Sequence, residues 1–499
     1  MAKPTIKESD MGKIDIVQSH LRRTLNFTDI INNNNKFYSL EVVEAKGNKF
    51  YLYTVYGRVG GTGVKEYRAC DNKYDAESEA EKIVKAKTKK GYVEVKLLKA
   101  DVGSEVGKAK VETNSITVEA AKKAGIKVEE EEEAKSNLHP EVKDLVRTWF
   151  GVTQEFIELN LDTKKCPLGQ LSIDQITKGK DILEEARKIV HATKIDVAEL
   201  NKLTNQYYSN IPHNFGYARI NADTLRFDDD SKIDKAYDIL DVFNSAKAVQ
   251  GVISKKNAID AQYATLKADF EFVDPSDPTW KWIDAMLHKT RASNHGSLGV
   301  LKTHKVFKVN RHNENDNWLK NAEKIAKECG KFQPSDVYAK LVAERTDIPK
   351  DMVSLYKNAN ILPGWHGTRR ANMVGITTKG LLIRPSGVIH AGSAYGDGVY
   401  WASNSTKSIN YCDVRGSHWA QGNNKTAYLF LADIAFGNQK MVSGSGYYTA
   451  KNISPSHSVW AKAGSGGVIN DEMITYHPTG SDQQHKIRYI IEFETQVKN

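Results

Sequence analysis

Cysteine is scarce, at four in 499 residues, and Cys70, Cys166, Cys329 and Cys412 stand far apart with no C-x-x-C pair. Local ligands cannot build a zinc finger from that spacing, so no metal is expected, and a reducing compartment is the natural home. A run of about 18 apolar residues, the length a membrane span needs, is also missing. The opening MAKPTIKESDMGK lacks the apolar segment of a secretory leader. The expectation is an intracellular chain without a membrane, nuclear in a eukaryote and cytoplasmic in a prokaryote. No internal repeat is visible, and the glycine-rich pieces GGTG at 60 and GSGG at 464 fit neither the Walker pattern nor G-x-G-x-x-G.

Positive charge is what is present, and it is unevenly spread. The formal net charge is +9, and residues 1–127 hold 24 Lys and Arg against 17 Asp and Glu. A solvated face and a nucleic-acid footprint fit that excess equally well. At this length about three domains are expected. From Phe37, apolar and polar residues alternate on both sides of KGN, which predicts a hairpin, followed by a helix over 76–87 and a strand over 92–98: a small α+β module. Residues 105–137 carry no aromatics and include the Glu129–Glu133 run, the composition of a flexible linker. The period then turns helical over 138–255, with Pro140 suited to a first turn and Ser172 and Asp230 as N-caps. From 256 onward β-rich stretches such as TAYLFLADIAF and KIRYIIEFET dominate.

The chemistry concentrates in GWHGT, residues 364–368. Glycines on either side of His366 let a ligand reach main-chain N–H and C=O groups, which can pair with a planar carboxamide. Downstream, YGDGVYWASNSTKSINYC places Tyr400 at the end of a short strand. Asn404 follows as the cap of a short helix carrying Ser408 and Tyr411. Two phenol rings with a hydroxyl between them suit a flat heteroaromatic ring, stacked on its faces and hydrogen-bonded at its edge.

In this order GWHGT, GDGVYWA, KSINYC and NDEMITYH resemble the catalytic domain of the poly(ADP-ribose) polymerases. CPLGQLS and YYSNIPHNFG resemble that family's helical regulatory domain, and YGRVG at 56–60 resembles the WGR domain of its DNA-dependent members. The resemblance implies a basic tail over 1–24 and a WGR-like module over 25–104. Beyond the linker it implies an all-α regulatory domain over 138–255, then an α+β ADP-ribosyltransferase fold with mainly antiparallel sheets over 256–499, interrupted by an insertion at about 312–358. It also implies NAD+ as substrate and a catalytic triad of His366, Tyr400 and Glu472. His366 would bond the adenosine-side ribose, Tyr400 would pack on nicotinamide, and Glu472 would engage the nicotinamide ribose. Gly367 main chain and the Ser408 hydroxyl would hold the carboxamide, Thr368 would belong to the cofactor-binding set, Tyr411 would stack on the ring, and Lys407 would lie near the ribose. Tyr56 would stack on a sugar or base at a DNA end, and Arg58 would join DNA or a neighbouring domain. Leu382, Ser393, Asp397 and Asp471 depart from residues that close relatives often carry. The implied protein is a DNA-break-activated transferase, a monomer, that modifies proteins including itself and elongates chains. Single ADP-ribose transfer and a catalytically silent DNA-end binder are the alternatives.

Overall fold

The computed structural model describes residues 4–11, 14–99, 103–104, 136–161, 170–250, 258–329, 344–383, 393–465 and 468–496. Most of the expected linker, with Glu129–Glu133, and Cys166 lie outside them. The chain forms two compact units. One comprises Met1–Val128 and Gln154–Ser254, the other Glu129–Thr153 and Lys255–Asn499.

The first unit is built on a six-stranded sheet. Its strands are β1 (Ile6–Lys7), β2 (Ile16–Asp29), β3 (Asn34–Ala45), β4 (Lys49–Arg58), β5 (Val64–Cys70) and β6 (Val93–Glu94), in the order β1-β5-β4-β3-β2-β6. The β3–β4 hairpin turns at KGN as the alternation predicts, with Ala45 opposite Lys49 and Tyr38 opposite Tyr56. The helix α2 (Lys73–Thr88; α1 is the single turn Glu8–Met11) is capped by the Asn72 side chain on the Asp75 N–H. It lays Ala76, Ala80 and Val84 on Leu25, Leu40 and Leu52 of one sheet face. The expected strand over 92–98 is instead two short pieces, β6 and β7 (Leu97–Lys99). β7 pairs with β8 (Gln170–Leu171), so the helical region contains a strand pair.

Within that region α3 spans Pro140–Leu161, α4 Ile173–Val190, α5 Val197–Asn210, α6 Ala222–Leu225 and α7 Asp230–Gln250. Ser172 caps α4 by accepting from the Gln175 N–H. At α7 the capping carboxylate is Asp229, which accepts from Lys232 N at 2.9 Å, one residue earlier than the expected Asp230. Leu183, Leu200, Leu203, Tyr207, Phe227, Ile233 and Leu240 form the helical core, and Ile30 and Val95 of the sheet domain are part of it. Polar contacts fasten the same junction. Asn26 Nδ2 donates to Tyr208 O at 2.9 Å, Thr28 N to Ser209 Oγ at 2.9 Å, and Asn35 Nδ2 to His213 O at 2.8 Å.

The second unit holds two antiparallel-dominated sheets. β9 (Ala268–Val273), β10 (Val300–Arg311), β11 (Ile361–Gly367), β13 (Thr426–Ala435) and β17 (His485–Gln496) run in the order β11-β13-β17-β10-β9. β12 (Val399–Trp401), β14 (Gln439–Val442), β15 (Ser458–Ala461) and β16 (Glu472–Thr475) run in the order β12-β16-β15-β14. Among the described strand pairs of these sheets, β14–β15 is the parallel one. Strands buried on both faces explain the near-continuous apolar run of β13. The first turns of α3 belong here: Trp149, fully buried, meets Phe270 and Tyr428 edge-on at 5.8 and 5.6 Å. Lys305 Nζ reaches Glu141 and Asp144, each at 2.6 Å.

The segment following β10 carries a helix over Glu314–Glu328 and another over Val353–Asn358. Buried ion pairs secure both ends of it. Arg311 Nη1 meets Glu314, whose other oxygen accepts from Ile487 N at 3.0 Å. Farther on, Arg345 bridges Asp347 at 2.9 Å and Asp433 of β13 at 2.6 Å. Arg488 of β17 joins Asp347 at 3.1 Å, and the Tyr356 hydroxyl donates to Asp433 at 2.6 Å.

Candidate active site and nucleic-acid interface

β11 carries His366: Pro363 lies opposite Asp433 of β13, and Trp365 is fully buried, its main-chain N–H donating to Ala402 O at 2.9 Å and its indole N–H to Thr290 Oγ1 at 3.2 Å. His366 Nδ1 donates to Tyr400 O at 3.0 Å, which fixes the tautomer and leaves Nε2 as acceptor. Burial holds its imidazole below the ordinary histidine range, so it is neutral at physiological pH. Trp401 stands edge-on to His366 at 5.6 Å, and His485 lies 5.0 Å beyond Trp401. The sequence reading passed over both; an aromatic next to Tyr400 on a short strand was the available signal.

Tyr400 sits in the middle of β12 rather than at its end, opposite Ile474 of β16. Its hydroxyl donates to Gly396 O and accepts from Tyr395 N, both at 2.8 Å, and burial pushes the phenol well above its usual range. Glu472 opens β16. Its carboxylate meets Lys407 Nζ at 2.7 Å, and the same ammonium donates to Asn470 O at 3.0 Å and Asp471 O at 3.2 Å. Burial draws Lys407 down from the ordinary lysine value, and Glu472 opposes that shift.

The helix carrying Lys407 and Ser408 spans Ser405–Ile409. Asn404 stands at its N-cap position without making the side-chain cap; its amide donates instead to Thr290 O at 3.1 Å. Ser408 Oγ donates to Trp365 O at 3.0 Å. Gly367 faces that helix so closely that a Cβ there would lie 1.8 Å from Ser408 O, so only bare backbone fits. Thr368 is nearly buried and accepts from Asn372 Nδ2 at 3.0 Å. Tyr411 lies past the helix end, 41% exposed. Bare main chain at Gly367, the Ser408 hydroxyl and the partly exposed Tyr411 ring thus come from two segments in direct contact, a set that fits a planar carboxamide. Beside it stand a neutral imidazole and a carboxylate–ammonium pair.

On the first unit, Tyr56 stacks on Tyr38 with centroids 5.1 Å apart and planes 10° apart, and its hydroxyl donates to Glu66 at 3.0 Å. The two rings, Arg68, Lys87 and Lys90 line a pocket of about 390 Å³. Lys87 Nζ lies 4.0 Å over the Tyr38 ring, and burial together with Lys90 and Lys36 holds it below its ordinary value. Arg58 is engaged elsewhere. Its Nε donates to Gly216 O at 2.8 Å and Nη2 to Ala218 O at 3.2 Å, with Asn33 taking further contacts.

Three family models match the chain: the WGR domain over residues 21–98, the poly(ADP-ribose) polymerase regulatory domain over 136–270, and the poly(ADP-ribose) polymerase catalytic domain over 279–495. The human protein mono-ADP-ribosyltransferase PARP3 is 28% identical over 84% of this chain and 72% of its own length. The Sarcophaga peregrina poly [ADP-ribose] polymerase is 27% identical over 91% of this chain, and the zebrafish poly [ADP-ribose] polymerase 1 is 27% identical over 87%. The chain spans 42% and 39% of those two polymerases. With WGR, regulatory and catalytic domains in that order, the chain belongs to the poly(ADP-ribose) polymerase family and carries its NAD+ ADP-ribosyltransferase domain.

Proposed function

We propose that the chain is a DNA-break-activated ADP-ribosyltransferase that modifies proteins including itself. The observation that carries the catalytic part is the Lys407–Glu472 pair beside Tyr400 and His366. NAD+ supplies the ADP-ribosyl group and a nicotinamide leaving group. Gly367 main chain and the Ser408 hydroxyl hold the carboxamide, Tyr411 and Tyr400 flank the ring, and His366 Nε2 accepts from a ribose hydroxyl. As the glycosidic bond weakens, positive charge develops at the ribose. The Glu472 carboxylate stabilises that charge and orients the acceptor hydroxyl, while Lys407 fixes the carboxylate's position.

DNA recognition is assigned to the Tyr56 and Tyr38 rings with Lys87 and Lys90. An aromatic face beside crowded ammonium groups suits a sugar or base next to phosphate, because an anion relieves their mutual repulsion. An intracellular, DNA-containing compartment follows from that partner. Chain elongation is the leading product; the name of the human relative supports single transfer as a second reading. Incubation with labelled NAD+, with and without nicked duplex, tests the proposal. A DNA-stimulated ladder supports elongation, a DNA-stimulated single band supports single transfer, and absence of label rejects catalysis.

A further inference from the structure

The loop over 413–424, between Tyr411 and β13, holds a tryptophan that neither the triad nor the cofactor pocket uses. Trp419 is 57% exposed. The loop that carries it is firmly braced. Trp419 N and Ala420 N both donate to Asn410 O, at 3.2 and 3.0 Å, and His418 N donates to Asn410 Oδ1 at 2.9 Å. Asn410 is buried and immediately precedes Tyr411. On the opposite side Arg369 Nη1 donates to Ala420 O at 3.2 Å, and Asp413 accepts from Arg370 N at 3.0 Å. Arg369 and Arg370 directly follow Gly367 and Thr368. The loop is thereby bonded to both segments that form the proposed nicotinamide subsite.

Trp419 also meets Tyr411 ring to ring, with centroids 6.4 Å apart and planes 22° apart, and His418 stands edge-on to it at 4.6 Å. Tyr411 is itself 41% exposed and lies beyond the end of its helix. A near-parallel indole within the range of aromatic attraction narrows the orientations open to the phenol. We infer that Trp419 is a positioning residue for the nicotinamide subsite: the braced loop uses its indole to hold the Tyr411 ring in the stacking orientation. Ordering that ring before binding removes part of the entropy cost of capturing the planar carboxamide.

This inference rests on the reading that Tyr411 stacks on nicotinamide, and the test separates the two. Benzamide, a planar carboxamide, and ADP, a probe of the adenosine side, are titrated calorimetrically into the full chain and its variants. Tyr411→Ala should abolish or strongly weaken benzamide binding. Trp419→Ala should weaken benzamide about three- to tenfold, the size of a lost aromatic pair, and leave ADP affinity unchanged. It should raise KM for NAD+ more than it lowers kcat. Trp419→Phe should recover most of the loss and Trp419→Leu should not, since Leu supplies apolar bulk without a ring. If Tyr411→Ala loses benzamide while Trp419→Ala and Trp419→Leu bind it like the parent, the positioning role is overturned. If Tyr411→Ala binds benzamide normally, the stacking reading fails and the inference fails with it. Equal weakening of benzamide and ADP in Trp419→Ala would mark a general structural role and would also overturn it.

Discussion

Glu472 carries one proposed task that its shape alone cannot perform. Glu472→Gln keeps the side chain's size and a hydrogen-bond acceptor for Lys407 but removes the charge that opposes the developing cation. We expect transfer to fall by at least about a hundredfold, in the range of lost electrostatic stabilisation, with benzamide affinity within about twofold of the parent. Single-turnover rates and calorimetry read the two effects; retained transfer at the parental rate would reject the assignment. Gly367→Ala should do the reverse, because a Cβ 1.8 Å from Ser408 O forces β11 and the 405–409 helix apart. Carboxamide affinity should collapse, and stability should fall by about 1–3 kcal/mol. Gly367 is legible in the sequence because glycine beside histidine is a local pattern, whereas Glu472 enters only through the family resemblance. Asn404 was misjudged for the complementary reason: it looks like a cap, yet Thr290, 114 residues away, takes its amide. A bond to a partner that distant leaves no local trace.

Among the elements, hairpin β3–β4, the helices and the long strands β13 and β17 were readable from period and turn chemistry. The segment following β10 was not. Its helical periodicity is plain, but what fastens it is the buried set Arg345, Asp347, Asp433 and Arg488, residues drawn from three places in the chain. Removing one partner from such a set leaves a buried charge uncompensated. Arg345→Ala should therefore cost about 3–5 kcal/mol, seen as a lower thermal transition. The same set predicts acid lability. Burial would raise the Asp347 carboxyl, but Arg345 and Arg488 outweigh it and hold the group down at about 2. A depressed carboxylate adds stability above its unfolded value, about 3.9, and loses it as pH falls through the window from there to about 2. Stability measured from pH 5 to pH 2 should drop by about 2–3 kcal/mol more in the parent than in Asp347→Asn, and equal slopes would count against this account. On the sheet domain, Tyr56→Ala with Lys87→Ala should weaken nicked-duplex binding at moderate salt and flatten its salt dependence by about one phosphate contact. Binding and slope equal to the parent's would remove that pocket as the interface.

At the scale of the whole molecule, none of the proposed catalytic residues lies in the helical region, yet its core includes Ile30 and Val95 of the sheet domain. Arg58 reaches into it through Gly216 and Ala218. On the proposed function, DNA engaged at the sheet domain would act on an element that shares its core. Activation by DNA breaks, as proposed, calls for a brake, and we assign it to the helical region as a two-state element: its closed form would disfavour productive NAD+ capture and its open form would bind DNA better. A hundredfold shift between the two needs about 2.7 kcal/mol of differential binding, within reach of a few phosphate contacts. A deletion that tests this must respect the boundary the structure reveals. Residues 136–153 have to stay, because Trp149 is buried against Phe270 and Tyr428, and Lys305 pairs with Glu141 and Asp144. Replacing 154–254 with a short flexible linker should give high automodification without DNA, and nicked duplex should stimulate the parent far more than the deletion. Arg58→Ala should bind DNA within a fewfold of the parent but respond to it less, since it removes the contacts to Gly216 and Ala218 and spares the Tyr56 pocket. A deletion protein that folds and binds benzamide yet stays as DNA-dependent as the parent would show that the brake lies elsewhere. An Arg58→Ala protein with full DNA stimulation would show that the Arg58 contacts do not carry the signal.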